Sequence, residues 1–494
     1  NFNGAQYEHA KEAAAFTANA GQADEHVYKY GIDIPWVEEL GLSLRLGVDG
    51  MGLAMVLLTA FIIFAGVMVS YTIQNRVKEY YICLLALVTG VFGVFASLDL
   101  FFYYFFYELA VIPMYLLIGI WGSTTKTVDQ NYATMKLVLL LSAGAVVALV
   151  GLISVYGQTG TFNMVAIEQF DFSESFQMIW FPVVFLGFAA LVPMWPLHSW
   201  SPAGHAAAPA AVSMLHAGVL MKLGAFGILR IAVTYFPEAA TTYLPYVGIV
   251  CCMNILYGGL VAVAQRDMKL IIGYSSSSHM GYVLLGVASA SLIGVEGAVF
   301  LMFAHGIMTA LTFALIGWFY DQTHTRMLDD LGGMMKVMPF AGTCFVIASM
   351  ASAGLPGFAN FVSELMVIIG AWEAREILWY GVPAILAVWG LVITGVYLLR
   401  AVKDAWFGDL PERWKDLRDQ KTIAERAPYV LLVAVLLVFG FYPQPMLDVV
   451  HQGVEPLVTR MDETRETGAL RMGRVQRDRP ASESDAPETH GEER

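Results

Sequence analysis

The sequence predicts an all-α polytopic membrane protein of about twelve transmembrane helices, arranged as two inverted five-helix repeats, each with a broken fourth helix. Three observations lead there. The 494 residues are 57% hydrophobic and only 14% charged, with a mean hydropathy of +0.61, whereas soluble domains carry about 25% charged residues. Apolar runs of about 20 residues, enough to cross a bilayer, recur along most of the length. Proline and glycine interrupt two of those runs at matching places.

In chain order, residues 1–50 are polar and aromatic and read as a non-cytoplasmic loop region. Residues 51–80 hold a first membrane helix, at 51–73, and a cytoplasmic loop. A first five-helix half-channel covers 81–234, with spans at 81–98, 100–121, 133–157, 177–197 and 209–233. A second covers 243–401, with spans at 243–264, 270–290, 296–320, 338–368 and 376–400. A cytoplasmic loop and a last helix, at 428–444, fill 402–445; the charged tail 446–494 is expected to be disordered.

The fourth span of the first half contains Pro193 and Pro196, and that of the second contains Gly354-Leu355-Pro356-Gly357. Each proline lacks an N–H and frees the carbonyl four residues back, at Ala189, Val192 and Ser352. Such breaks survive in lipid only where protein or water satisfies the backbone. Five spans per half make the halves start on opposite sides, as in inverted transporter repeats.

Basic residues fix the orientation. Arg76, Lys78, Lys126, Arg266, Lys269, Arg326, Lys336, Lys403, Arg413, Lys415, Arg418, Lys421 and Arg426 fall in one alternate set of short loops, whereas the other set holds only Arg375. The basic set is therefore cytoplasmic, and residues 1–50 and the tail are not. The net charge of −13 argues against a nucleic-acid partner and leaves lipid and protein. Cys83, Cys251, Cys252 and Cys344 show no metal-binding or disulfide spacing. No phosphate-binding loop is present either, so neither metal nor cofactor is expected. The chain begins Asn1-Phe2-Asn3, and a segment N-terminal to it is expected.

A charge at the bilayer centre costs at least ~2.5–3.5 kcal/mol, so each buried ionisable residue is a functional candidate. Glu108 lies deep in Phe101-Phe102-Tyr103-Tyr104-Phe105-Phe106-Tyr107-Glu108, beyond snorkelling reach, beside the backbone loosened by Pro113. Lys222 sits midway along Ala217–Arg230 and Glu364 just after the second break. His279 and His305 occupy the middles of consecutive spans, where an imidazole passes a proton through either nitrogen. These five are read as a proton relay. His216 and Lys136 are further candidates, although Lys136, like Asp99, lies near a helix start where snorkelling or capping also accounts for it. Arg230 is expected to snorkel, and Asp267 with Lys269 to form a solvated ion pair.

Taken together, Phe106-Tyr107-Glu108-Leu109, Pro193-Met194-Trp195-Pro196-Leu197-His198-Ser199-Trp200, Gly204-His205 with Ala208-Pro209, Leu220-Met221-Lys222-Leu223-Gly224, Ser278-His279-Met280-Gly281, Ala304-His305-Gly306, Leu355-Pro356-Gly357 through Glu364, and Gly440–Asp448 span residues 30–450 in one order. The sequence so ordered resembles the antiporter-like proton-channel subunits of respiratory complex I, in particular the M-type, subunit 4 in mitochondria. The resemblance implies proton translocation driven by quinone reduction elsewhere in an NADH:quinone oxidoreductase, with other membrane subunits, including neighbouring antiporter-like ones, as partners. It also implies an energy-transducing membrane, here a bacterial cytoplasmic membrane. Glu108 resembles the family's acid, Lys222, His279 and His305 its central axis, and Glu364 its exit-side acid. Glu364, where related subunits carry lysine, favours the M-type, and a single helix after residue 400 disfavours the L-type.

The family normally has two more N-terminal helices, and a lysine just before the first break, where this chain has Leu191-Val192-Pro193. His216, six residues before Lys222 and hence about 9 Å along the helix and roughly 120° around it, is the expected substitute, facing a different neighbour. An Mrp-like cation/proton antiporter subunit and a structural subunit with an impaired channel remain open alternatives.

Overall fold

The computed structural model describes residues 28–377 and 379–477. Sixteen helices dominate it. They are α1 (Gly50–Val69), α2 (Val77–Ala96), α3 (Leu100–Trp121), α4 (Gln130–Thr159), α5 (Met164–Glu168) and α6 (Glu174–Leu191). Next come α7 (Trp200–Ala207), α8 (Ala210–Val233), α9 (Pro237–Ala264), α10 (Met268–Ser289) and α11 (Leu292–Thr323). The last are α12 (Pro339–Ser352), α13 (Ala359–Glu373), α14 (Val382–Trp406), α15 (Ile423–Phe441) and α16 (Gln444–Arg477).

Short polar residues set the helix starts. Asp49 accepts the Gly52 N–H, Asp129 the Tyr132 N–H and Asp267 the Lys269 N–H, while Thr422 and Glu425 make a reciprocal capping box before α15. Among the described residues, ten helices are long and apolar enough to span a membrane. Two further crossings complete the twelve of the sequence reading. Helix α10 is 22 residues long, but Ser275–Ser278 and His279 lower its hydropathy; α12 and α13 together make one broken crossing.

Hydrogen bonds sort the connections onto two faces. On one, Trp121 reaches the Asn75 carbonyl, Arg326 reaches Thr125 and Asp267, and Arg266 pairs with Asp329 and Asp404. These are the basic loops expected to be cytoplasmic. On the other, Arg230 pairs with Asp49, Asp99 bridges to Asn163, and Arg460 reaches the Glu168 carbonyl. The second half thus begins, at α9, on the face opposite to the start of α2.

Helices α8 and α11 have fully buried windows and form the centre, as expected for helices apolar on all sides. Two π-turns, His216–Leu220 and Ile228–Val233, interrupt α8; such turns recur at functional sites.

At the N-terminal end the structure gives form to the expected extramembrane layer, and at the C-terminal end it corrects an expectation. The described part of 1–50 is a hairpin, β1 (Lys29–Val37) antiparallel to β2 (Leu42–Val48), with Ile34 opposite Leu44. The tail expected to be disordered is helical from Gln444 to Arg477, with 478–494 outside the described residues, so among the described residues two membrane-length helices rather than one follow residue 406. Helix α16 lies across the non-basic face: Val449 and Gly453 press on Gly50 and Met51, His451 meets Glu296, and Arg465 reaches the Ala290 carbonyl. Its apolar stripe, Val450, Val454, Leu457, Val458 and Met461, is buried against those elements. Charge density alone marked this segment as unfolded, because an amphipathic helix that burys one stripe can remain polar overall.

Candidate functional site

The second half assembles its residues around the break between α12 and α13. Helix α12 ends at Ser352, Gly354 takes a left-handed φ of 68°, and α13 restarts at Ala359. A Cβ on Gly354 would sit 2.5 Å from a Glu364 oxygen, so the glycine serves both the turn and the carboxylate's approach. Proline 356 frees the Ser352 carbonyl, as the sequence predicts, and His279 takes it: Nε2 is 3.2 Å from that oxygen. The same nitrogen is 3.3 Å from Glu364 Oε1, while Nδ1 is 2.8 Å from the Ser275 carbonyl. Both His279 nitrogens therefore face acceptors, the surroundings of a ring holding two protons. Glu364 is within ion-pair distance, yet the hydrogen bond of Nε2 goes to Ser352, and neither carboxylate oxygen has a hydrogen bond among the described residues.

His279 continues into His305, with ring centroids 5.0 Å apart, and His305 Nδ1 lies 2.8 Å from Lys222 Nζ. Lys222 also donates to the carbonyl of Ala217, five residues back, which the π-turn makes accessible. All four side chains are at most 1% exposed. The structure thus brings together Lys222, His305, His279 and Glu364 as one file.

The file extends the other way through His216, but not as its helical position predicts. The π-turn changes the angular offset between His216 and Lys222, and the His216 ring meets His205 at 4.0 Å between centroids, with Trp200 stacked on it at 5.1 Å. His205 and His216 are fully buried, and none of their ring nitrogens has a hydrogen-bond partner among the described residues. His205 lies within Coulombic reach of His216, Lys222 and Lys269. Sequence reasoning passed over His205; the available signal was a histidine in an otherwise small and apolar stretch.

Glu108 and Lys136 do not join. Glu108 is partly exposed on the outer side of α3, where the Tyr104 hydroxyl donates to it at 3.2 Å. Between it and α6, Tyr103 and Tyr107 pack edge-on against Phe188, one turn before the fully buried Leu191. Lys136 is partly exposed on α4, with Nζ 5.4 Å from the centre of the Tyr132 ring.

One side role takes the capping alternative and two change. Asp99 is the α3 cap, accepting from the Phe101 and Phe102 N–H groups at 3.1 and 3.2 Å, with Arg45 at 3.3 Å; burial pushes its carboxyl up to about 6 despite these partners. Arg230 does not snorkel: it is buried and pairs with Asp49 at 2.7 Å. Asp267 and Lys269 are not a solvated pair. Both are buried, Asp267 pairs with Arg326 at 2.7 Å, and Lys269 Nζ donates to the Ala208 carbonyl at 2.6 Å.

Twelve crossings around a buried file of lysine, histidine and glutamate define an antiporter-like membrane subunit. The chain belongs to the NADH:quinone oxidoreductase/Mrp antiporter transmembrane family, whose model matches residues 97–390. It is 37% identical over 440 residues to NADH-quinone oxidoreductase subunit M of Rhodobacter capsulatus, covering 86% of this chain and 84% of that one. It is 35% identical over 416 residues to NAD(P)H-quinone oxidoreductase chain 4 of Gloeobacter violaceus, covering 83% and 78%. A chain of respiratory complex I from Thermus thermophilus superposes with a TM-score of 0.81 at 26% identity, covering 92% of this chain and 94% of that one.

Proposed function

We propose that this chain is an M-type proton-translocating subunit of a complex I-type NADH:quinone oxidoreductase in a bacterial cytoplasmic membrane, with the electron transfer carried by other subunits. The observation that carries this reading is the contact of Lys222 Nζ with His305 Nδ1 at 2.8 Å, continued by His279 to Glu364.

Chemically, the file works by exclusion. Two unit charges 5 Å apart repel by about 3 kcal/mol at an effective dielectric of 20, roughly a hundredfold in occupancy, so His305 and His279 resist holding a positive charge together. A proton passed from Lys222 to His305 Nδ1 makes that ring cationic and weakens the hold of His279 on its own second proton; once His279 has given that proton up, the proton on His305 Nε2 replaces it and His305 is neutral again. Glu364 is the acceptor positioned for the His279 proton. The buried, unpaired oxygens of Glu364, Ser349 and Ser352 and both polar atoms of Asn360 line the exit, and unpaired buried polar groups cost about 1–3 kcal/mol each unless water meets them. Neighbouring antiporter-like subunits cover the outer flank of α3, where Glu108 is displayed at membrane depth.

In proteoliposomes holding the whole complex, Lys222→Met should lower the protons moved per quinone reduced while quinone reduction persists. Unaltered pumping would overturn the reading, and flux that depends on sodium would favour the antiporter alternative.

A further inference from the structure

On the face carrying the basic loops, a cavity of about 280 Å³ opens between the α3–α4 loop and the end of α11. Thr124 to Thr127 form one wall and Tyr320 with His324 to Met327 another. Its inner side is closed by Asp267 and Arg326, which are 1% and 3% exposed. Arg326 is tied down at three points: Nε to Asp267 at 2.7 Å, Nη1 to the Ala206 carbonyl at 2.7 Å and Nη2 to Thr125 at 3.1 Å. Asp267 also accepts from the Thr127 hydroxyl at 2.7 Å and from the Lys269 N–H at 2.9 Å. A buried pair with this many hydrogen bonds holds its geometry.

Directly behind the pair is Lys269. It makes no ion pair among the described residues; its ammonium nitrogen rests on the Ala208 carbonyl at 2.6 Å and near Ser213 Oγ at 3.5 Å. Ala208 and Pro209 form the turn joining α7 to α8, the helices that carry His205 and His216. A buried cation without a carboxylate is costly, and lysine, unlike arginine, can give up its proton there. The neighbouring charges are Arg326 and Asp267 on the cavity side, Asp321 on α11 and His205 on α7.

We propose that this cavity is the proton-uptake port of the buried file, with Lys269 the first proton acceptor and Asp267–Arg326 the pair that positions it. The proposal rests on the proton-translocation reading above. A proton from cavity water adds to the neutral Lys269 amine. The ammonium then yields one proton to an unpartnered His205 ring nitrogen, directly or through one water, and returns to the neutral amine. His205 hands a proton to His216, and from there it reaches Lys222. Asp267 and Arg326 keep their charges throughout.

The test uses the whole complex in proteoliposomes with the cytoplasmic side outward, reading protons moved per quinone reduced. Lys269→Arg keeps the charge and the contact with Ala208 but holds its proton. It should lower the ratio as far as Lys222→Met does, as should Lys269→Met. A lysine that only braced the turn would tolerate arginine. Independently, Thr124→Cys treated with a bulky, membrane-impermeant methanethiosulfonate should slow pumping at unchanged assembly, relative to the untreated variant. If Lys222→Met lowers the ratio while both Lys269 variants and the modified cysteine match wild type, the port is refuted and the file stands. If Lys222→Met is also without effect, both fail.

Discussion

The two halves break their fourth crossing in different ways. In the second half, the freed Ser352 carbonyl is taken by a titratable ring, His279, with Glu364 beside it. In the first half, neutral groups re-pair the backbone. The Ala189 carbonyl accepts from the Met194 N–H, Trp200 Nε1 donates to the Ala190 carbonyl at 2.9 Å, and Asn254 donates to the Pro193 carbonyl at 3.2 Å. One break is thus joined to a proton carrier, whereas at the other the Ala189, Ala190 and Pro193 carbonyls are taken by neutral groups. The same covalent device, a proline in a membrane helix, gives a site or a brace according to what the neighbouring helix presents.

The largest consequence is a difference between two acids. Glu364→Gln removes the only carboxylate of the file and should abolish the pumping contributed by this chain. Glu108→Gln alters a partly exposed group held by Tyr104 alone among the described residues, and should cost less. Equal losses in protons per quinone would break the comparison. Next in size, His216→Ala should lower pumping by separating His205 from Lys222; wild-type pumping would restrict the file to the second half and Lys222.

A third test addresses the break in the first half. Asn254→Leu leaves the Pro193 and Ser277 carbonyls and the Trp195 N–H without their partner. Each orphaned buried group costs about 1–3 kcal/mol, so the thermal midpoint of the complex-bound chain should fall. Pumping should fall less than in Glu364→Gln.

The smallest effect concerns α16. His451 Nδ1 is 2.6 Å from Glu296 Oε1, and this hydrogen bond, with the charges of Glu296, Glu455 and Asp448, raises the imidazole above its ordinary 6.5. A raised folded-state value means that the contact stabilises fully below the ordinary value and is lost as pH rises through the raised one. Amide exchange in α16 should therefore quicken on going to higher pH beyond its intrinsic rate, and His451→Ala should flatten that excess.

Much of this was legible in the chain. Hydropathy located the crossings found among the described residues, because a bilayer demands a long apolar run and leaves few alternatives. Depth within a run marked Lys222, His279, His305 and Glu364. It did not show that Glu108 stands apart from the file, since depth along a helix says nothing about which side of it faces outward. It read Lys269 as half of a solvated ion pair, because a lysine at a helix start looks like a surface residue until the Ala208 turn is seen folded over it. The charged stretch after Arg460 looked unfolded because the surface that its apolar stripe covers comes from α1, α9 and α11.

By itself, then, the sequence determined which segments enter the membrane, which connections are basic, where two helices must break and which ionisable groups are carried inside. These depend on local composition and on proline's missing N–H. Only the tertiary structure decided which of those groups meet. That the π-turn in α8 sets His216 against His205, that Lys222 finds His305 from a distant helix and that Glu108 is left on the flank are outcomes of helix packing, which acts between residues far apart in the chain.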